Sequence, residues 1–246
     1  MKTRAIVFDA YGTLYDIQSV AAVTDEAFPG RGELITQVWR LKQLEYTWLR
    51  TLMGRYADFG EVTREALAYT LGCLGIPGEA RVIERLMDKY LRLDLYADAR
   101  ETLARLSGRK LAILSNGSPA MLEALVRHSG LDGVLAATLS VDELGAYKPR
   151  ADVYGLVERH LGVPAGEVLF VSSNAFDACG AKSAGLRVAW IERVTAPALA
   201  GELAQAGPIG PLAMFKALRL RMEPFGFEPD HRVRALSELP ALVGAA

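Results

Sequence analysis

The chain opens on an unbroken apolar run, residues 5–8 (AIVF), closed by Asp9 and a glycine-bearing turn through Thr13. A short continuous apolar run bounded by turn residues is the pattern of a strand buried on both faces. The period then changes. In residues 33–53, Leu34, Val38, Leu41, Leu44, Trp48 and Leu52 recur every three or four positions, which predicts an amphipathic helix with these residues on one face. Residues 64–74 and 80–91 predict two more helices, separated by the breaker Gly75-Ile76-Pro77-Gly78. No strand pattern occurs between about 15 and 96, so a helical insertion is expected directly after the first strand.

From residue 99 onward, helical periods and short apolar runs alternate. Helices are expected at 99–106, 119–128, 151–161 and 178–185, and strands at 110–114, 134–140, 168–171 and 188–191. Ser118 is placed as the N-cap of the second of these helices, with Pro119 at its first position. Such alternation argues for a parallel sheet with crossover helices. The expected fold class is α/β: a doubly wound parallel sheet with a small helical cap domain inserted after the first strand. Residues 1–15 and 97–246 would form the core and 16–96 the cap. Beyond residue 193 the pattern weakens. Pro208, Pro211, Pro224 and Pro229 interrupt a region holding one helix, 212–222, and a last strand, 232–236.

Composition narrows the function classes. A net charge of −1 over 246 residues gives no general pull toward nucleic acid or an anionic membrane, so any anion binding must be local. No stretch approaches the ~20 apolar residues of a membrane span. The terminus MKTRAIVFDA runs into a strand rather than a signal peptide. Cys73 and Cys179 lie far apart, with no Cys-x-x-Cys or Cys/His ligand spacing, and are expected to be reduced, mostly buried thiols of a cytoplasmic protein.

Polar groups gather at predicted strand ends. Asp9 follows the first strand, Ser115-Asn116 the second, and Ser172-Ser173-Asn174 with Asp177 a later one; Lys148-Pro149 precedes a helix. Strand ends of a parallel sheet share one rim, where open α/β sheets place their ligands. Singly, Ser115 or Asn174 is an ordinary loop or cap residue. Four such sites in this order are poorly explained that way.

The same segments carry a resemblance. FDAYGT, SNG, KP and SSNAFDACGAKSAG resemble the four motifs of the haloacid dehalogenase superfamily, and WRLKQLEYTWLRTLMGRYADF resembles the cap of its hydrolytic L-2-haloacid dehalogenases. The resemblance covers nearly the whole chain. It implies that Asp9 is a nucleophile. Superfamily phosphatases carry a second aspartate two residues later as a general acid/base; here that position is Tyr11. They also hold Mg²⁺ with a Gly-Asp-x-x-x-Asp motif, which here retains only Asp177, since Ser172-Ser173 replaces Gly-Asp. Two carboxylates beside Lys148 make a poor Mg²⁺ site, and displacing a halide needs neither metal nor a proton donor. No metal and no cofactor are therefore expected.

The implied reaction is hydrolysis of (S)-2-haloalkanoic acids to (R)-2-hydroxyalkanoic acids plus halide, with inversion, through an ester on Asp9. Lys148 would lie near Asp9 and Asp177 and keep both ionised. Asp177 is the candidate to activate the hydrolytic water, oriented by Ser172 and Asn174, with neutral Lys148 as the alternative base and a helix N-cap as the structural role for Asp177. Thr13, Ala10, Tyr11, Ser115 and Asn116 would position the substrate. Leu44, Trp48 and Phe59 would wall its alkyl group, and Tyr154 is placed among the substrate-lining residues. An arginine on an amphipathic helix is more often solvated. The matching helix around Arg40 reverses that expectation: with Asn116 and Phe176 it would cradle the departing halide. His128, His160, His231 and Cys179 show no catalytic spacing. The expected partners are the haloacid and its halide, with neither nucleic acid nor membrane, in a homodimer. The competing possibilities are a Mg²⁺-dependent phosphatase or phosphonatase with a helical cap, and a non-catalytic relative.

Overall fold

A computed structural model describes residues 2–204 and 207–244. The first strand, β1 (Ala5–Phe8), has every side chain buried and leads through a turn to a two-residue strand, β2 (Tyr15–Asp16). Four helices follow: α1 (Ser19–Ala27), α2 (Gly32–Leu52), α3 (Phe59–Cys73) and α4 (Ala80–Tyr90). The chain returns through β3 (Asp94–Leu95), antiparallel to β2. This small ribbon closes the neck of the insertion, where the sequence had given no strand. Two residues are too few for any period to register.

The alternating part then runs α5 (Ala99–Arg105), β4 (Lys110–Ser115), α6 (Pro119–Ser129), β5 (Ala137–Ser140), α7 (Ala151–Leu161), β6 (Val168–Ser172), α8 (Ala175–Ser183) and β7 (Arg187–Ile191). It ends with α9 (Ala196–Leu203), α10 (Pro211–Ala217), β8 (His231–Val233) and α11 (Leu239–Leu242). Among the described residues the sheet has six strands in the order β5-β4-β1-β6-β7-β8, all parallel. β1 lies between β4 and β6, so Asp9 leaves the sheet at its centre. The two-sided burial of β1 and β6 explains why they read as continuous apolar runs. Fully burying one such Val, Leu, Ile or Phe contributes about 1.5–3 kcal/mol.

Ser118 caps α6 as expected, accepting from the Met121 N–H, with Pro119 at the first helical position. Other expectations shift. The 134–140 strand shortens to four residues, α10 stops at Ala217 rather than 222, and α1 and α9 carry no period strong enough to announce them. Cys73 is exposed and only Cys179 buried, because Cys73 ends α3 on its outer side.

The largest correction concerns α2. The helix forms where expected, but Leu34, Leu41 and Leu52 face outward, Trp48 is half exposed against Phe176, and only Leu44 of the predicted apolar stripe is fully buried. The buried positions are Gly32, Ile35, Thr36, Gln37, Trp39, Arg40, Gln43, Leu44 and Thr47. An unusually polar inward face is what a helix needs when it covers a polar site rather than a core.

Candidate active site

The turn after β1 is set by backbone chemistry. The Ala10 carbonyl accepts from the N–H groups of Thr13, Leu14 and Tyr15, and Gly12 sits at φ 89°, a left-handed conformation costly for a residue with a Cβ. The turn points the Thr13 hydroxyl at Asp9 Oδ2, to which it donates at 3.0 Å. The Ser173 N–H in turn donates to Thr13 Oγ1 at 3.0 Å, tying the β1 turn to the end of β6.

Asp9 and Asp177 flank one ammonium. Lys148 Nζ donates to Asp9 Oδ1 at 3.2 Å, to Asp177 Oδ2 at 3.0 Å and to the Leu114 carbonyl at 2.7 Å, so its three protons are used. The Lys148 backbone N–H donates to Asn116 Oδ1 at 3.0 Å, which leaves that side chain's amide nitrogen to face elsewhere. Asp177 also accepts from Ser172 Oγ at 2.9 Å and from the Tyr154 hydroxyl at 2.7 Å. Burial pushes its carboxyl up to about 6; Lys148 and the Tyr154 hydrogen bond oppose this, and the Asp9 charge adds to it. The Lys148 ammonium favours the ionised form and desolvation opposes it more strongly, yet with its carboxyl near 6 the group is still mostly ionised at neutral pH. A carboxyl near 6 suits a group that must take a proton at neutral pH.

Asp177 is not the N-cap of α8. That position is Asn174, and Asp177 lies inside the first turn. Asn174 makes no capping bond with its side chain. Its Nδ2 donates instead to Asp9 Oδ2 at 2.8 Å and to the Tyr11 carbonyl at 3.2 Å. A cap bond is typically worth about 1 kcal/mol, and the chain forgoes it to hold Asp9. Gly180, one turn further along α8, lets Tyr154 and Pro149 approach: a Cβ there would meet the Tyr154 hydroxyl at 2.5 Å and the Pro149 Cβ at 2.6 Å. Tyr154 therefore stands behind Asp177, edge-on to Phe170, with its hydroxyl committed to that carboxylate.

Across from Asp9, α2 presents Arg40, which is buried. Its Nη1 donates to Gln43 Oε1, which is held by Gln43 Nε2 donating to Thr63 Oγ1 at 2.6 Å, while its Nε has no partner. Burial pulls the guanidinium down, and Tyr90 and Asp9 pull it back. The guanidinium lies 6.0 Å from the centre of the Tyr11 ring. Tyr11 is buried with an unpartnered hydroxyl, raised far above its usual range chiefly by desolvation, so it stays neutral. Phe59 packs 5.2 Å from the Tyr11 ring, Leu44 is buried, and the half-exposed Trp48 meets Phe176 edge-on at 5.3 Å. Ser115 is fully buried, its hydroxyl accepting from the Gly117 N–H at 3.1 Å.

Two cations at this rim had no signal in the sequence. Arg193 donates to the Thr13 carbonyl at 2.8 Å, pairs with Asp98 at 3.3 Å and stacks 3.8 Å from the Tyr96 ring, clamping the turn after Asp9. Arg219, just beyond α10, donates to Asn174 Oδ1. Arginines in a proline-broken stretch offer no period, and only long-range contacts bring them here. With Lys148, Arg40 and Arg219 set against Asp9 and Asp177, the centre carries one positive charge in excess and suits a monoanion. Among the described residues no three His, Cys, Asp or Glu side chains gather at one point. The space between the two carboxylates holds an ammonium, and that donor set does not fit Mg²⁺.

A model of the haloacid dehalogenase-like hydrolase family matches residues 3–185. Over 240 residues the chain is 57% identical to the (S)-2-haloacid dehalogenase of Xanthobacter autotrophicus, covering 98% of this chain and 94% of that one. A solved structure of the L-2-haloacid dehalogenase from Xanthobacter autotrophicus shares 57% identity and a TM-score of 0.94, covering 99% of this chain and 100% of that one. Another, with chloropropionic acid covalently bound, shares 56% identity and a TM-score of 0.94 over 98% of each chain.

Proposed function

The chain belongs to the haloacid dehalogenase-like hydrolases, and we infer from that membership and from the site that it is a hydrolytic (S)-2-haloacid dehalogenase. It converts (S)-2-haloalkanoic acids to (R)-2-hydroxyalkanoic acids plus halide, through an ester on an aspartate. One observation carries the assignment: a buried arginine with no carboxylate hydrogen-bonded to it among the described residues faces an aspartate held by an ammonium. A buried uncompensated cation is costly, and an anion arriving with the substrate removes the cost.

Asp9 is the nucleophile. Its Oδ2 accepts two short hydrogen bonds, and Oδ1 has the longer contact to Lys148, so Oδ1 is the freer oxygen to attack C2. The C–halogen bond breaks with inversion, and the halide leaves with its electron pair toward Arg40, the Asn116 amide and the Phe176 edge. Water then attacks Cγ of the ester, its proton passes to Asp177, and cleavage of the Cγ–O bond releases the hydroxy acid and restores Asp9. Ser172 and Tyr154 hold Asp177 in place. Tyr11, Ser115 and the backbone near Ala10 meet the substrate carboxylate, and Leu44, Phe59 and Trp48 wall its alkyl group. A phosphatase would need a proton donor where neutral Tyr11 stands and a metal-binding carboxylate where Ser173 stands, whose hydroxyl instead donates to the Gly12 carbonyl.

Residues 16–96 act as the cap and 1–15 with 97–246 as the core. The outward stripe of Leu34, Leu41, Leu49 and Leu52 on α2, with Met53 just past its end and with exposed Met214 and Leu218 on and just past α10, supports a homodimer. A one-chain mass in sedimentation would oppose it. No helix among the described residues is long and apolar enough to cross a membrane, and two unpaired cysteines support a cytoplasmic setting, which cell fractionation tests. Halide release from the separate enantiomers of 2-chloropropionate tests the activity: release from the (S) form alone is expected, and equal rates or none would overturn it.

A further inference from the structure

Arg219 lies in a segment that packs against the active-site helix α2: the Leu212 N–H donates to Glu33 Oε1 at 3.1 Å. The guanidinium stacks 4.5 Å from the Phe215 ring and donates to Asn174 Oδ1. No carboxylate forms an ion pair with it among the described residues. Burial and the charge of Arg40 pull Arg219 down to about 9, with Asp9 opposing, so it remains a cation at neutral pH. On the other side of the same amide, Asn174 Nδ2 donates to Asp9 Oδ2.

A primary amide can sit either way round. Turned over, Asn174 would aim its oxygen at the Asp9 carboxylate and its NH₂ at a guanidinium, and both contacts would be repulsive. Arg219 removes that alternative, since it can only donate. A bond from a cation is also about twice as strong as a neutral one, and it polarises the amide so that Nδ2–H donates better.

We propose that Arg219 is a positioning residue for hydrolysis of the Asp9 ester, fixing and polarising Asn174 so that its Nδ2, with the Thr13 hydroxyl, binds the oxygen that becomes an oxyanion. The proposal rests on the dehalogenase assignment. When water attacks Cγ, an O–Cγ bond forms and the carbonyl electron pair moves onto Oδ2. The water proton goes to Asp177. Collapse returns the pair, breaks the bond from Cγ to the alcohol oxygen, and that oxygen takes up the proton. Charge on Oδ2 grows in this step. It falls in the earlier alkylation step, when negative charge leaves Asp9 for the halogen. Weakening the Asn174 bond therefore slows hydrolysis and leaves alkylation equal or faster, a split that a merely structural role would not produce.

The test uses the full chain as wild type, Arg219→Ala, Arg219→Gln and Arg219→Lys with (S)-2-chloropropionate. Chloride release by enzyme in excess reads alkylation, and intact-protein mass spectrometry at steady state reads the ester. Loss of an oxyanion donor itself typically costs about 10²–10³ in rate, so loss of its support is expected to slow hydrolysis by roughly tenfold or more. The ester should accumulate in Arg219→Ala and Arg219→Gln, with a full chloride burst. Arg219→Lys should recover most of the hydrolysis rate, because an ammonium also donates to Oδ1. Equal slowing of both steps, or wild-type hydrolysis in the variants, would overturn the proposal. Absence of chloride release by the wild type would instead overturn the dehalogenase assignment.

Discussion

Arg40→Met is the substitution that best separates function from scaffold at this site. Methionine keeps much of the buried stem and deletes the charge. Two effects on stability oppose each other. Removing an unpaired buried cation relieves a desolvation penalty, whereas Gln43 Oε1 loses its donor, at about 1–3 kcal/mol for a buried unsatisfied acceptor. The net change is expected to be small; at about 2–4 °C per kcal/mol for a chain of this size, Tm should move by only a few degrees. Activity should move far more. In the proposed reaction Arg40 acts as negative charge passes from Asp9 to the halogen, and losing one preorganised donor of this kind costs about 2.7–4 kcal/mol, on the order of a hundred- to a thousandfold in kcat. KM should change less than kcat, since the contact strengthens in the transition state. Arg40→Lys should restore little, because a point charge on another stem does not reproduce the planar fork. The assays are steady-state halide release from (S)-2-chloropropionate and a thermal melt on the same preparation. A kcat within tenfold of wild type at unchanged Tm would refute the halide cradle. A loss of activity that tracks a collapse in Tm would make Arg40 structural.

Asp177 must be ionised to accept the proton from water, and burial raises its carboxyl to about 6 with help from the Asp9 charge; the ester removes that charge, so kcat should show an acid limb with a midpoint below about 6. The same shift has the opposite sign for stability: the folded state holds the proton more tightly than the unfolded chain, so this group's contribution is present in acid and is lost as pH rises through about 6. A kcat with no acid limb at all would remove Asp177 as the base. Treatment with EDTA should leave turnover unchanged, since Lys148 Nζ lies between the two carboxylates; loss with EDTA and recovery with Mg²⁺ would point to phosphatase-like chemistry.

How much was legible in the chain varied with how local the cause was. Asp9 could be found because an apolar run ending in a polar group marks a strand end; Lys148, which precedes a helix, and Asp177 were joined to it by the resemblance of KP and SSNAFDACGAKSAG to family motifs. The α2 helix was legible in position but not in facing. Its conspicuous leucines form the outer stripe, while the buried face carries Thr36, Arg40, Gln43 and Thr47, residues whose polarity normally marks solvent. Asn174 read as a plausible cap, and its side chain leaves that duty for Asp9. The bond from Tyr154 to Asp177 leaves no mark in the sequence, since it depends on the close approach allowed by Gly180. Arg193 and Arg219 could not be read at all, since their partners, Thr13 and Asn174, lie far away in sequence and no periodicity links them.

The covalent role of Asp9 is the claim on which the rest depends, and oxygen labelling reaches it directly. A single turnover of (S)-2-chloropropionate is run in heavy-oxygen water with enzyme in excess, and both product and protein are weighed by mass spectrometry. If Asp9 forms the ester and water attacks its Cγ, the hydroxyl of the product comes from the aspartate and is unlabelled, while one labelled oxygen appears in the peptide containing Asp9. A labelled hydroxyl in that first turnover, with no label in the peptide, would mean that water attacks the substrate carbon itself and that Asp9 is only a base.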